Sequence, residues 1–386
     1  MSQAEIVAKA AEKLKNDKAG KKLTIGFDGF VDEIIRVVET RNSSKFGDCT
    51  YVETIEEYGK KIIAAAGLSA NIEFEPQQVK LGGNGPILAN ALNLQGHKIS
   101  YIGSIGDKTI DPVFADFAQN CEKSGGKVIT MAAPGHADAL EFDNGKIICG
   151  KCVSLDAVNW ENLLSLISRE ELKKLVAESE FLGFTNWMEL PEFNSLLVGF
   201  NEILAELAEA GSNATTTKHK PTIFIDLADP ARRPVEEIKE VCGLIMKLEE
   251  NAKVILGLNE SESRQVAAVF EVNEDDFANR ASAIRQKMGI TAIVIHPLAG
   301  ASVATKDGSW WIDGPYCQKP KLTTGAGDNF NAGFCNGWLA GLSPVECLTS
   351  GVSTSGFYVR ECGSPNRTQL VEFMQKWAKD GAPKIW

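Results

Sequence analysis

Leu23–Phe27, Glu180–Thr185, Thr222–Asp226, Lys253–Leu258 and Ala292–Ile295 are short runs that are apolar almost throughout. Longer stretches with apolar residues at helical spacing separate them. A strand with one wet face alternates apolar and polar residues, whereas a strand apolar on both sides has to be covered on both. The series therefore predicts an α/β chain, with a mostly parallel sheet and helices on its two faces. At 386 residues the chain is long for one core, so a large domain with an appendage, or two domains, is expected.

The stretch richest in chemistry lies late, at Lys321-Leu322-Thr323-Thr324-Gly325-Ala326-Gly327-Asp328-Asn329-Phe330. Phe330, Phe334 and Trp338 follow at intervals of four, so the polar turn opens a helix. Backbone N–H groups at a helix start have no intrahelical partner, and that end of the dipole is positive. Gly325 and Gly327 let a ligand approach the backbone closely, which makes the turn a natural anion site. Asp328 projects from the first helical turn, where a carboxylate can take a proton from an attacking hydroxyl. The same residues also suit simple helix capping.

Bulk properties narrow the partners. A formal net charge of -11 argues against nucleic acid, though not against a nucleotide bound at a local positive site. No run is long enough to span a membrane, and the first residues lack a signal-peptide pattern. Nine cysteines spread along the chain read as free thiols, so a cytoplasmic protein is expected. Cys149 and Cys152 form a Cys-x-x-Cys pair, but no second pair at zinc spacing exists. A dinucleotide fingerprint is excluded because Phe330 stands where the third Gly belongs, and no P-loop sequence occurs.

Thr-Thr-Gly-Ala-Gly-Asp followed by Phe, Ala-Gly and Phe resembles the C-terminal signature of the ribokinase-like family of carbohydrate and nucleoside kinases. Leu81-Gly82-Gly83-Asn84 through Gly103-Ser104-Ile105-Gly106-Asp107 is similar to its N-terminal signature. The resemblance implies a three-layer α/β/α fold with a mostly parallel central sheet and a small β-rich lid. It implies a single domain over 1–386, with the lid drawn from about 36–80 and 127–152, where Asn144-Gly145 signals a type I′ hairpin turn. The lid is also a candidate homodimer contact.

The resemblance further implies an ATP- and Mg²⁺-dependent phosphotransferase acting on a hydroxyl of a sugar or nucleoside. Asp328 would be the base, and the amides of Gly325, Ala326 and Gly327 the anion hole. Asp32 best matches the substrate-binding Asp that ends the family's first strand, with Asp28 second; Gly82, Gly83 and Asn84 join them on the substrate. Asn259 and Glu262 match the Asn-x-x-Glu motif that organises Mg²⁺, although they also form a capping box. Asn259, Gly300 and Ser353 fall on the nucleotide side. Asp226 to Arg233 resembles an Asp-rich turn facing the phosphates. Leu322 stands where many relatives carry an Asp that helps bind a monovalent cation, a ligand Leu cannot supply, so potassium dependence is not expected. The alternative function is a non-catalytic sugar or nucleotide sensor that keeps the kinase fold.

Overall fold

The computed structural model describes residues 1–212 and 220–380; the polar loop expected at 211–221 lies mostly outside them. The strands are β1 (Lys22–Phe27), β2 (Phe30–Arg41), β3 (Cys49–Tyr51), β4 (Phe74–Gly82), β5 (Lys98–Gly103), β6 (Val128–Thr130), β7 (Gly135–Phe142) and β8 (Gly145–Lys151). They continue with β9 (Phe181–Thr185), β10 (Thr222–Asp226), β11 (Lys253–Leu258), β12 (Ala292–Ile295), β13 (Gly300–Thr305) and β14 (Gly308–Asp313).

Nine strands form one large sheet in the order β14-β13-β12-β11-β10-β9-β1-β5-β6. All its pairings are parallel except those of the β12-β13-β14 edge. Successive residues of each buried strand feed two separate cores. Ile223, Ile225, Val254, Leu256, Ile293 and Ile295 pack under the helices Phe193–Ser212, Val235–Leu248 and Phe277–Met288. Phe224, Ile255 and Val294 point the other way, onto the helices Asn84–Leu94 and Ala326–Leu339. Unbroken apolar runs thus arise because both faces are covered, with Cβ atoms alternating between them.

A second sheet takes β3-β2-β7-β8, with β4 paired to the other edge of β2. Ile35, Val37, Val52, Leu140 and Phe142 form its own small core, closed by Ile55 and Tyr58 of the helix Ile55–Ala64. Its strands come from 30–82 and 135–151. Val128–Thr130, inside the second segment expected in the lid, instead pairs with β5 in the large sheet. The β7–β8 hairpin forms, but its loop residues are Asp143 and Asn144, neither at positive φ, so the turn is not type I′. Cys149 and Cys152 are free thiols, Cys149 exposed on β8.

Candidate active site

The late signature forms the turn and helix that its sequence predicts. Gly325 caps the helix Ala326–Leu339 at φ 92°, in the left-handed region, and a Cβ there would lie 2.9 Å from the Tyr358 hydroxyl. That hydroxyl donates to the Thr324 carbonyl at 2.7 Å and fixes the turn from behind. One expectation is corrected. The Ala326 amide already donates to the Thr323 carbonyl at 3.1 Å, closing a tight turn, so it is not a free donor to an anion. Among the described residues no carbonyl takes the amides of Gly325, Gly327 or Asp328.

Asn84 ties this turn to the ends of β1 and β4. Its side-chain amide donates to Asp328 Oδ1 at 2.9 Å, and its backbone N–H donates to Asp28 Oδ2 at 2.9 Å. Asp28 is fully buried and receives four further bonds or contacts in kind: Gly85 N at 2.8 Å, Asn186 Nδ2 at 2.7 Å and Thr185 Oγ1 at 3.2 Å hold its carboxylate, while Tyr101 donates to its carbonyl. Asp28 therefore braces the site, with its acceptor capacity spent on the protein. Asp32, matched to the Asp that ends the family's first strand, lies instead within the second strand, β2, directly across from Lys80 of β4. No protein donor bonds its carboxylate among the described residues. Burial is the main cause that lifts it to about 6, against the pull of Lys80.

Gly82 and Gly83 are explained by these acids. A Cβ on Gly82 would sit 2.1 Å from Asp32 Oδ1, and one on Gly83, at φ 94°, 2.8 Å from Asp28 Oδ2. Asp328 is half-buried. Desolvation, then the charges of Asp226 and Asp28, push its pKa well above the ordinary carboxylate range, while the Asn84 bond opposes them.

Asn259 and Glu262 form the predicted capping box at the start of the helix Glu260–Val269. Glu262 is also buried beside Asp226, and both its oxygens are engaged: Asn259 N reaches Oε2 at 2.7 Å, and Asn259 Nδ2 and Asp229 N reach Oε1 at 2.6 and 2.9 Å. Burial and the Asp226 charge raise Glu262 to about 8. No three His, Cys, Asp or Glu side chains converge as a metal-ligand set among the described residues. The surplus of carboxylate charge around Asp328 and Asp226 still fits a hard cation carried in by phosphate oxygens. Arg233, read as facing phosphates, is committed elsewhere: it donates to the carbonyls of Trp187, Met188 and Leu190 and stacks 4.1 Å from the Trp187 ring centroid.

Two cavities meet at the turn. One, of about 700 Å³, is lined by His296, Gly300, Tyr316, Gly327, Phe330 and Val352, among others. Gly300 lines this cavity, whereas Ser353 is fully buried, and the helix Pro344–Glu361 turns Val352, Ser355, Gly356 and Val359 to the cavity instead. The other, of about 1000 Å³, runs under the second sheet past Lys80, Glu141, Lys146, Leu322 and Thr323. Thr323 borders both. Lys80 and Lys146 are functional candidates that the sequence reading missed. Each is half-buried among acids on strands whose register a single sequence does not reveal, although Lys146 directly follows the Asn-Gly turn signal.

A family model described as prokaryotic ketohexokinase matches residues 2–377. The chain is similar to a ketohexokinase of Haloferax volcanii, with 26% identity over 366 residues covering 94% of this chain and 93% of that protein. A ribokinase of Haemophilus influenzae is 23% identical over 307 residues, covering 77% and 88%. Among solved structures, Arabidopsis thaliana ribokinase complexed with ribose and ATP matches with a TM-score of 0.62 and 16% identity, over 92% of this chain and 99% of that one. Adenosine kinase of Sinorhizobium meliloti matches with a TM-score of 0.61 and 18% identity, over 92% and 99%. These likenesses agree with the three-layer fold.

Proposed function

This chain belongs to the prokaryotic ketohexokinase family, and from that membership we propose that it transfers the γ-phosphoryl group of ATP to a hydroxyl of a free sugar, a ketohexose first among the candidates. The observation that carries the reading is the position of Asp328: first turn of a helix, beside a glycine turn with open amides, next to Gly327 of one cavity's lining and five residues after Thr323, which borders both. Asp328 takes the proton of the acceptor hydroxyl as that oxygen forms its bond to phosphorus and the bond from phosphorus to the ADP oxygen breaks. The amides of Gly325, Gly327 and Asp328 face the charge of the transferred group. Asn84 holds the carboxylate in line and Asp28 holds Asn84.

Asp32 and Lys80 offer an acceptor and a donor to sugar hydroxyls from the second sheet, which acts as the lid of a single domain and excludes water. The apolar cavity takes the base and ribose of the nucleotide against His296, Phe330 and Val352. Asn259, Glu262 and Asp226 would hold Mg²⁺, which would offset phosphate charge. The sensor reading is not favoured: it leaves an intact base, its positioning amide and the open turn without work.

The test is ADP formation from Mg-ATP over a panel of ketoses, aldoses, nucleosides and sugar phosphates, with an Asp328→Asn variant alongside. Turnover with a free ketohexose and a loss of at least about 10³-fold in kcat for the variant are expected. Equal turnover by the variant would remove Asp328 as base.

A further inference from the structure

Lys146 stands second in β8, directly across the β7–β8 pair from Glu141. From there its ammonium crosses to the signature turn, 177 residues further along the chain. It donates to Thr323 Oγ1 at 3.1 Å and to Thr324 Oγ1. Thr324 immediately precedes Gly325, whose amide opens the anion turn. No other strand residue of the small sheet bonds residues 321–328 among the described residues.

The bonding is unusual in its chemistry. An ammonium has three N–H donors, and a half-buried one is normally matched by a carboxylate. Here the two partners are neutral hydroxyls, and among the described residues no carboxylate oxygen lies within 4 Å and one N–H has no partner. Burial disfavours the charged form of Lys146, and Lys80 repels it, while Glu141 and Asp32 support it from a distance. The side chain is therefore a cation at the anion turn, tethered by weak acceptors that a phosphoryl oxygen would outcompete.

We infer that Lys146 is a second catalytic group: the hydroxyls of Thr323 and Thr324 hold its ammonium at the turn, and its free N–H meets the phosphoryl group in transit. This rests on the kinase reading above. Because the lysine rides on the lid, its charge arrives at the turn only when the lid is seated, which ties acceptor coverage to phosphoryl transfer.

The experiment compares Lys146→Met, Lys146→Arg and Thr323→Val/Thr324→Val with wild type, using Mg-ATP and D-fructose. Binding of ADP with aluminium fluoride, a mimic of the phosphoryl in flight, is measured beside binding of ADP alone. Lys146→Met is expected to lower kcat about 100-fold or more with the KM for ATP within threefold. It should weaken the aluminium fluoride complex by a similar factor and leave ADP binding unchanged. Lys146→Arg should recover at least about a tenth of the rate, and the threonine pair should lose less than Lys146→Met. If Lys146→Met stays within threefold of wild type while Asp328→Asn is inactive, the kinase reading stands and the role of Lys146 is overturned. If the threonine pair loses as much as Lys146→Met in both assays, the lysine is a tether and the inference also fails. If wild type phosphorylates no sugar, the kinase reading falls and this inference falls with it.

Discussion

The two cavities that meet at Thr323 are built on opposite physical principles. Among the described residues, the cavity proposed for the nucleotide has no Asp, Glu, Lys or Arg in its lining, and its His296 is lowered to about 4 by burial. Its walls are mostly proline, glycine, aromatic and aliphatic residues, with a few neutral polar ones such as Asn259, Gln318 and Ser355. The cavity proposed for the acceptor is lined by Lys80, Lys146, Lys321, Asp116, Glu141 and Asp143, three cations against three anions, most of them on the small sheet. One side is defined by apolar shape, and the other by charges of both signs. A flat apolar base can be gripped by contact alone, whereas a polyhydroxy sugar needs directional donors and acceptors.

The sharpest way to break this contrast is at a residue outside the apolar cavity. Asn84→Ala removes the amide that bonds Asp328 and takes nothing from that cavity's lining. A loss in kcat of about 10²-fold is expected, with the KM for ATP within twofold in steady-state kinetics; a rise in that KM equal to the loss in kcat would show that the two sides are not separable. Gly356→Val tests the other side. A Cβ at Gly356 would lie 2.4 Å from Pro315 Cγ, so the branched side chain must displace a cavity wall. The KM for ATP should rise roughly tenfold while the KM for the sugar stays constant.

The smallest effect is one of stability. Folding raises Asp32 to about 6, so between pH ~4 and 6 the folded chain holds a proton that the unfolded chain has released. Stability from this group is present at low pH and lost as pH rises through about 6. In Asp32→Asn that loss is absent. The variant should therefore gain on wild type by up to about 3 kcal/mol between pH 4 and 7, read from denaturant melts at each pH. A difference that does not change with pH would mean that Lys80 already neutralises Asp32 in the folded chain.

The same division decides what the sequence made legible. The large sheet was readable because fully apolar runs have few alternatives, and Asp328 and Asn84 because helix starts punctuate the chain. The small sheet was readable in existence but not in extent. Phe30–Arg41 carries Asp32, Glu33 and Arg36 mid-strand, which masks its period of two and hides that Asp32 belongs to a second strand. Lys80 and Lys146 gain their meaning only from the cross-strand pairs Asp32–Lys80 and Glu141–Lys146. On the helix Pro344–Glu361, the sequence pointed to Ser353, which does not line the cavity, because small residues occur all round that helix and packing alone decides which ones face the cavity.

The carboxylates of Asp28 and Asp32 occupy the volume where side chains at residues 83 and 82 would be. That shared space imposes an order on change. A side chain introduced at position 82 meets an oxygen 2.1 Å away, so the Asp32 carboxylate has to move aside to admit it. Shortening residue 32 first removes the three atoms nearest to that new Cβ. Anyone recasting this site therefore gains by altering the acid first and the glycine second, because the reverse path forces the carboxylate out of its place.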